Sequence, residues 1–165
     1  MRQELTTDRV SRHIAAPPEA VYALVSDVTR TPEYSPEVVK CTWIDGSSGP
    51  AVGARFKAIN HAGRIPDWPN RPVVTVVDPV RTFAFERTEI GGGTIEWRYT
   101  FEPDGTGTQV TESYTVIKPV NMFGWFIINT LAGLTDRRGD LRRGMTQSLD
   151  RIAAIVEGQQ TEQSA

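Results

Sequence analysis

Through the middle of the chain, hydrophobic and polar residues alternate with a period of two; near the C-terminus the period changes to three or four. The first alternation is "RVSRHIAA", where Val10, Arg12 and Ile14 face away from Ser11, His13 and Ala15, as on a strand with two unlike faces. "PPEAVYALVSD" follows. Its prolines suit a first helical turn, and Val21, Leu24 and Val25 form one apolar stripe. A short proline-broken piece, "VTRTPEYSPE", leads to strands at "VVKCTWID", "RFKAIN" and "VVTVVD", with turn chemistry at "GSSGPAVGA" and an irregular link at "HAGRIPDWPNRP". After the turn at 78–79 come "TFAFERTEI", a glycine turn at 91–93, "TIEWRYTFE", the turn "PDGTGT" and "QVTESYTVI". The connections are too short for parallel crossovers, so these strands predict an antiparallel meander of hairpins.

The last part reads as a helix. Leu141, Met145, Leu149, Ile152 and Val156 recur every three or four residues, with Arg142, Arg143, Asp150, Arg151 and Glu157 mostly opposite them. From 137 to 157 it would run about 30 Å, enough to cross a sheet. Gly158 is expected to end it, and "QQTEQSA" to trail off as a polar, disordered tail over 158–165. Residues 8–157 then make one domain, with no internal repeat.

The last two strands show which face of the sheet looks inward. Ile95, Trp97, Tyr99 and Phe101 share one face; Val110, Glu112, Tyr114 and Val116 share one on the next strand. If the "EPDGTG" turn sets Phe101 near Thr108, Trp97 falls opposite Glu112, and a symmetric link at 91–93 brings Arg87 opposite Trp97. The inner face then carries Phe83, Phe85, Trp97, Tyr99, Val110 and Tyr114, with Arg87 and Glu112 as polar exceptions. The C-terminal helix is the element long enough to cover it. A bent sheet of large rings closed by one aliphatic helix can leave a concave, mostly apolar gap with a few polar groups, which describes a small-molecule site.

Composition narrows the function classes. The chain has 165 residues, 39% hydrophobic and 23% charged, with a net charge of −2, so no strong positive field draws it to nucleic acid. The single cysteine, Cys41, is expected to be an inert buried or half-buried thiol. "MRQELTTDRV" lacks the apolar core of an export signal, which makes a cytoplasmic location the expectation. His13 and His61 alternate away from the inner face and no third ligand accompanies them, so no metal is expected. No nucleophile elbow or phosphate-cradling loop occurs, and no cofactor is called for.

The order of strand, two short helices, six-strand meander and long helix resembles the START-like, Bet v 1-like helix-grip superfamily. Within it, the chain is similar to the bacterial polyketide cyclase/dehydrase-like group often called SRPBCC proteins. The residues that carry the likeness are "VSRHIAAPPEAVYALVSD", "PEYSPEV", "VGARFKAIN", the isolated Trp68, "TFAFE", "WRYTFEPDGTGTQVTESY" and "RRGDLRRGMTQSLDRI". The resemblance implies an α+β fold: a seven-stranded curved antiparallel sheet gripping the last helix around a hydrophobic cavity. By position it places Tyr34, Phe56, Asn60, Trp68, Phe85, Trp97 and Glu112 near that cavity. It transfers no catalytic motif.

Candidate binding residues are therefore Tyr34, Phe56, Asn60, Trp68, Phe85, Arg87, Trp97, Tyr99, Glu112, Tyr114, Phe123 and Phe126. Glu112 and Arg87 could orient a polar ligand group or act as acid/base and electrostatic stabiliser. Alternatively, Glu112 pairs structurally with Arg87 or with Arg12. Asn60 either bonds a ligand or closes a backbone gap near Trp68. The apolar run at 122–134 is open to three uses: cavity wall or lid, plain core, or a dimer or membrane-surface patch. It is too short, and too interrupted by glycine, to span a bilayer, so no stable membrane insertion is expected. The arginines of "DRRGDLRRG" alternate with aspartates as on a solvated helix face. The leading expectation is a binder of a polyketide-like, aromatic or lipid molecule. The rivals are a metal-free cyclase or dehydratase and a stress-response or interaction module without a ligand, with a homodimer left open.

Overall fold

A computed structural model describes residues 4–89 and 91–165. The first three residues and Ile90 lie outside the described residues, and with them the start of the N-terminal segment and the end of the strand read at "TFAFERTEI".

Strand β1 (Thr7–Ile14) is followed by helix α1 (Pro18–Ser26), which proline opens, and by a 3-10 helix (Val28–Glu33) capped by the Asp27 carboxylate. The meander then runs through β2 (Val38–Ile44), β3 (Arg55–Asn60), β4 (Trp68–Asn70), β5 (Val73–Asp78), β6 (Thr82–Thr88), β7 (Thr94–Asp104) and β8 (Gly107–Lys118). Helix α2 (Met122–Phe126), a π-turn (Ile127–Leu131) and helix α3 (Arg137–Ser164) close the chain. The strands form one antiparallel sheet in the order β1-β8-β7-β6-β5-β3-β2, with the three-residue β4 paired to β3 off that path. The expected seven-strand path is present, and β4 is the addition.

Register irregularities interrupt β2 at Val38/Lys40, β5 at Val74/Val76 and β7 at Thr94/Ile95. Such bulges bend a sheet and raise its twist. The inner face is as read: Ile95, Trp97, Tyr99 and Phe101 are all buried. The pairing, however, differs from the expected one by two positions. Trp97 stands opposite Tyr114, Tyr99 opposite Glu112, and Phe85, not Arg87, opposite Trp97. The cause lies in the hairpin: β7 runs on to Asp104 and the reversal takes only residues 105–106, where Gly105 adopts φ 62°. A shift of two keeps every side chain on its face, so the faces survived the error.

Two apolar clusters fill the space between sheet and helices. One joins α1 and Phe56, Phe83 and Phe101 to the distal part of α3 through Leu149, Ile152 and Val156. The other joins Ile95, Trp97 and Tyr114 to Trp125, Ile128, Leu141 and Met145. Val10 and Phe85 touch both.

Helix α3 does not stop at Gly158 but continues to Ser164, so residues 158–164 are helical and not a loose tail. Gly158 does not adopt positive φ, and the Thr161 and Ser164 hydroxyls donate to the carbonyls of Glu157 and Gln160. A mid-helix glycine costs about 1 kcal/mol relative to alanine, which a helix of this length tolerates. No helix among the described residues is long and apolar enough to cross a membrane.

Candidate ligand cleft

Sheet and α3 diverge between the two clusters and leave a cleft of about 310 Å³. Phe85, Arg87, Trp97, Tyr99 and Glu112 line it from the sheet; Leu141, Met145 and Ser148 line it from α3. Glu37 and Val38, after the 3-10 helix, and His61 and Ala62, after β3, form its rim. The strand alternation that turned His61 outward ends at Asn60; His61 is exposed and bonds Asp67 at 2.7 Å.

Five expected site residues thus line the cleft, and seven do not. Tyr34 and Phe56 are packed in the first core cluster, where Phe56 meets Phe85 edge-on with ring centroids 5.2 Å apart. Tyr114 lies in the second cluster against Trp97, with centroids 5.5 Å apart. Asn60 is fully buried and its amide donates to the carbonyls of Trp68 at 3.3 Å and Ala58 at 3.4 Å, so it closes the backbone gap beside β4. Trp68 itself is half-buried on that short strand. Phe123 and Phe126 point outward, 69% and 51% exposed. They do not wall the cleft, because α2 turns Trp125 and, in the following π-turn, Ile128 into the core instead.

The two polar exceptions on the inner face are both inward, but they are not ion-paired to each other. Glu112 accepts a 2.8 Å hydrogen bond from the Tyr99 hydroxyl, and its second oxygen has no protein partner among the described residues. Nor does Arg12 reach Glu112: it pairs with Asp150 on α3. Burial raises the Glu112 carboxyl to about 8, with the Tyr99 hydrogen bond and the Arg87 charge pulling weakly the other way. It is therefore largely a neutral acid near pH 7. Burial, followed by the neighbouring Glu112, also pushes the Tyr99 phenol well above its ordinary range.

Arg87 belongs to a different group. Its guanidinium contacts Glu89 at 2.5 Å and Glu37 at 3.6 Å, donates to Asn60 at 3.4 Å, and lies 5.3 Å from the Trp97 ring centroid. Arg137, read from sequence as part of a solvated face, is fully buried and bridges Glu37 to Glu89. Burial opposes the charge on Glu89, but the Arg87 and Arg137 charges outweigh it and lower its pKa. The same competition, won by Glu37 and Glu89, raises that of Arg137. Glu89 was legible in principle, since it continues the Phe83, Phe85, Arg87 alternation by one step. Glu37 and Arg137 carry no local signal. The other arginines of that run do meet the surface expectation: Arg142 pairs with Asp8, and Arg143 with Asp140 and Asp136.

The Trp97 indole nitrogen has no hydrogen-bond partner among the described residues either. Two polar atoms, on Trp97 and Glu112, thus remain unspoken for on side chains that line a cleft whose walls mix apolar residues with polar ones such as Arg87, Gln147 and Ser148. Cys41 is buried away from it, and burial raises its thiol to about 12, leaving it protonated and inert.

A curved antiparallel sheet closed on one long C-terminal helix, with two short helices after the first strand, defines the Bet v 1-like helix-grip class. Within that class, the chain belongs to the family described as polyketide cyclase / dehydrase and lipid transport, whose model matches residues 7–157. Among solved structures, it is similar to the Polyketide_cyc-like protein Cgl2372 from Corynebacterium glutamicum, at 34% identity and TM-score 0.55, covering 94% of this chain and 92% of that one. The di-domain ARO/CYC StfQ from the steffimycin biosynthetic pathway matches at 14% identity and TM-score 0.72, over 94% of this chain and 52% of its own. Ara h 8.0201 matches at 14% identity and TM-score 0.66, over 92% and 97%. These last two likenesses are of fold. No match is found among curated proteins.

Proposed function

We propose that the chain binds a hydrophobic small molecule, polyketide-like, aromatic or lipid, in the cleft between sheet and α3. The observation that carries the reading is a mostly apolar cleft, lined by Phe85, Leu141 and Met145, into whose lining Glu112 and Trp97 bring polar atoms that no protein group satisfies. These atoms are shut off from water just behind the cleft wall, and leaving a buried polar group unpaired costs about 1–3 kcal/mol, energy that a guest reaching them through a small shift of the wall would recover. At about 310 Å³ the cleft sits at the lower end of small-molecule sites, which favours a compact ring-bearing guest over a long chain. The family description, and the fold shared with the di-domain ARO/CYC StfQ of the steffimycin biosynthetic pathway, support the same ligand class.

Native mass spectrometry of protein purified from its own host tests this. The expected result is an adduct of defined mass whose affinity falls roughly five- to tenfold in Glu112→Leu, which removes the hydrogen-bonding group that a neutral Glu112 offers, with the fold intact. Absence of any adduct across growth conditions would overturn the reading and favour an interaction module.

One observation favours a second reading, turnover. A carboxyl raised to about 8, beside a phenol, is suited to give and take a proton at neutral pH, as a cyclase or dehydratase requires. In that case Glu112→Gln abolishes conversion of a poly-β-ketone probe while its binding changes little. Unchanged conversion would remove this reading.

A further inference from the structure

The helical segment from Met122 to Leu131 is apolar on both of its sides apart from Asn129 and Thr130. Trp125 and Ile128 face the core at 7% and 0% exposure, while Met122, Phe123, Phe126 and Leu131 stand 78%, 69%, 51% and 53% exposed. A helix that is hydrophobic all round belongs in an apolar environment on both sides. The exposed side chains amount to on the order of 500 Å² of apolar surface, comparable to the largest patch of a typical monomer, which is often functional. A standard protein interface takes about 800 Å² from each partner, which this patch alone does not supply.

Charge narrows the occupant further. Between Glu112 and Asp136 the sequence holds no acidic residue, and Lys118 is exposed just before the segment. The Arg64 guanidinium lies against Gly133 just after it. Carboxylates stand nearby too, two of them engaged: Asp67, on the Arg64 loop, bonds His61, Asp136 caps α3, and Glu4 lies in the adjoining groove that Trp125 helps to line. Large apolar side chains flanked by cations match the acyl boundary and anionic headgroups of a lipid surface.

The segment is also anchored for such a role. Asn121 caps α2 by accepting from the Gly124 amide at 2.8 Å, and the Arg64 amide donates to the Ala132 carbonyl at 3.0 Å. The second contact ties the segment to the loop whose first residues, His61 and Ala62, form the rim of the cleft.

We infer that the outer face of residues 122–131 is a docking surface for an anionic lipid bilayer, presenting Met122, Phe123, Phe126 and Leu131 to the acyl boundary with Lys118 and Arg64 at the headgroups. The contact is reversible and superficial, and it places the rim of the cleft beside the membrane. It stands whether or not the cleft holds a ligand.

The test is flotation of the purified full chain with vesicles of phosphatidylcholine and phosphatidylglycerol in about equal parts, alongside vesicles of phosphatidylcholine alone. Wild type floats with the mixed vesicles and more weakly with the neutral ones. Phe123→Ser combined with Phe126→Ser lowers partitioning at least about tenfold without shifting the melting temperature, because both rings are exposed. Lys118→Glu weakens binding to the anionic vesicles alone. Independently of any variant, brominated lipid in the mixed vesicles quenches wild-type tryptophan emission, Trp125 lying on the docked helix. Wild type that neither floats nor is quenched overturns the inference, as does a double-serine variant that floats like wild type. So does sedimentation equilibrium showing a wild-type dimer that the double-serine variant converts to monomer, which would make the face a contact between copies.

Discussion

Glu89 and Glu112 are almost equally removed from water, at 5% and 4% exposure, yet their charge states diverge. Two guanidinium groups surround Glu89 and hold it ionised, whereas Glu112 has a phenol, which is too weak a compensation for burial. The consequence for stability has a definite sign. A carboxyl raised from about 4.5 in the unfolded chain to about 8 in the folded one binds more protons when folded, so its contribution is full below about pH 4.5 and is lost as pH rises through about 8. Wild type is therefore expected to lose stability relative to Glu112→Gln between those values. Urea titrations of both proteins at a series of pH values measure it; parallel curves would refute the raised pKa. The inward direction of Glu112 and Arg87 was readable from alternation alone. Their partners were not, because Tyr99 meets Glu112 through register and Glu37 and Arg137 reach Arg87's cluster from distant segments.

At the scale of elements, the decisive contact is glycine on glycine. Gly91 turns the β6–β7 link with φ 84°, and a Cβ on it would fall onto the backbone of Gly124; a Cβ on Gly124 would lie 2.5 Å from the Gly91 carbonyl oxygen. Helix α2 can approach that turn only because neither residue has a side chain. Gly124→Val is expected to lift α2 off the turn while leaving the sheet folded. Far-UV circular dichroism would keep its strand signal as tryptophan emission shifts to the red with the exposure of Trp125. An unshifted spectrum would mean that α2 does not depend on this contact. Glycines at 91–93 predicted a turn, and Gly124 a weak point in a helix, but their meeting is tertiary. Likewise, Gly158 was a reasonable helix stop by propensity, and the continuous backbone ladder overrode it.

Across the whole molecule, Arg137 ties the start of α3 to the 3-10–β2 loop through Glu37 and to the end of β6 through Glu89. These are parts of the frame around the cleft, so its geometry depends on a buried ion cluster as well as on apolar packing. Removing one member of such a cluster leaves charge uncompensated in a low dielectric. Arg137→Met is expected to destabilise by about 3–5 kcal/mol at neutral pH, measured by urea unfolding. The loss should shrink as pH falls and Glu89 becomes protonated. A variant as stable as wild type would show that the cluster contributes nothing to the fold.

Periodicity was enough to establish the strand meander, the long last helix and the aromatic inner face, because a side chain's face depends only on local backbone geometry and survives a register error of two. Which inward residues line a cleft and which are packed solid was decided in three dimensions, by where a bulged sheet departs from a straight helix. The same holds for the apolar run at 122–131. Composition shows that it must be covered, but only the helix's seat on Gly91 determines that Trp125 goes in while Phe123 and Phe126 stay out.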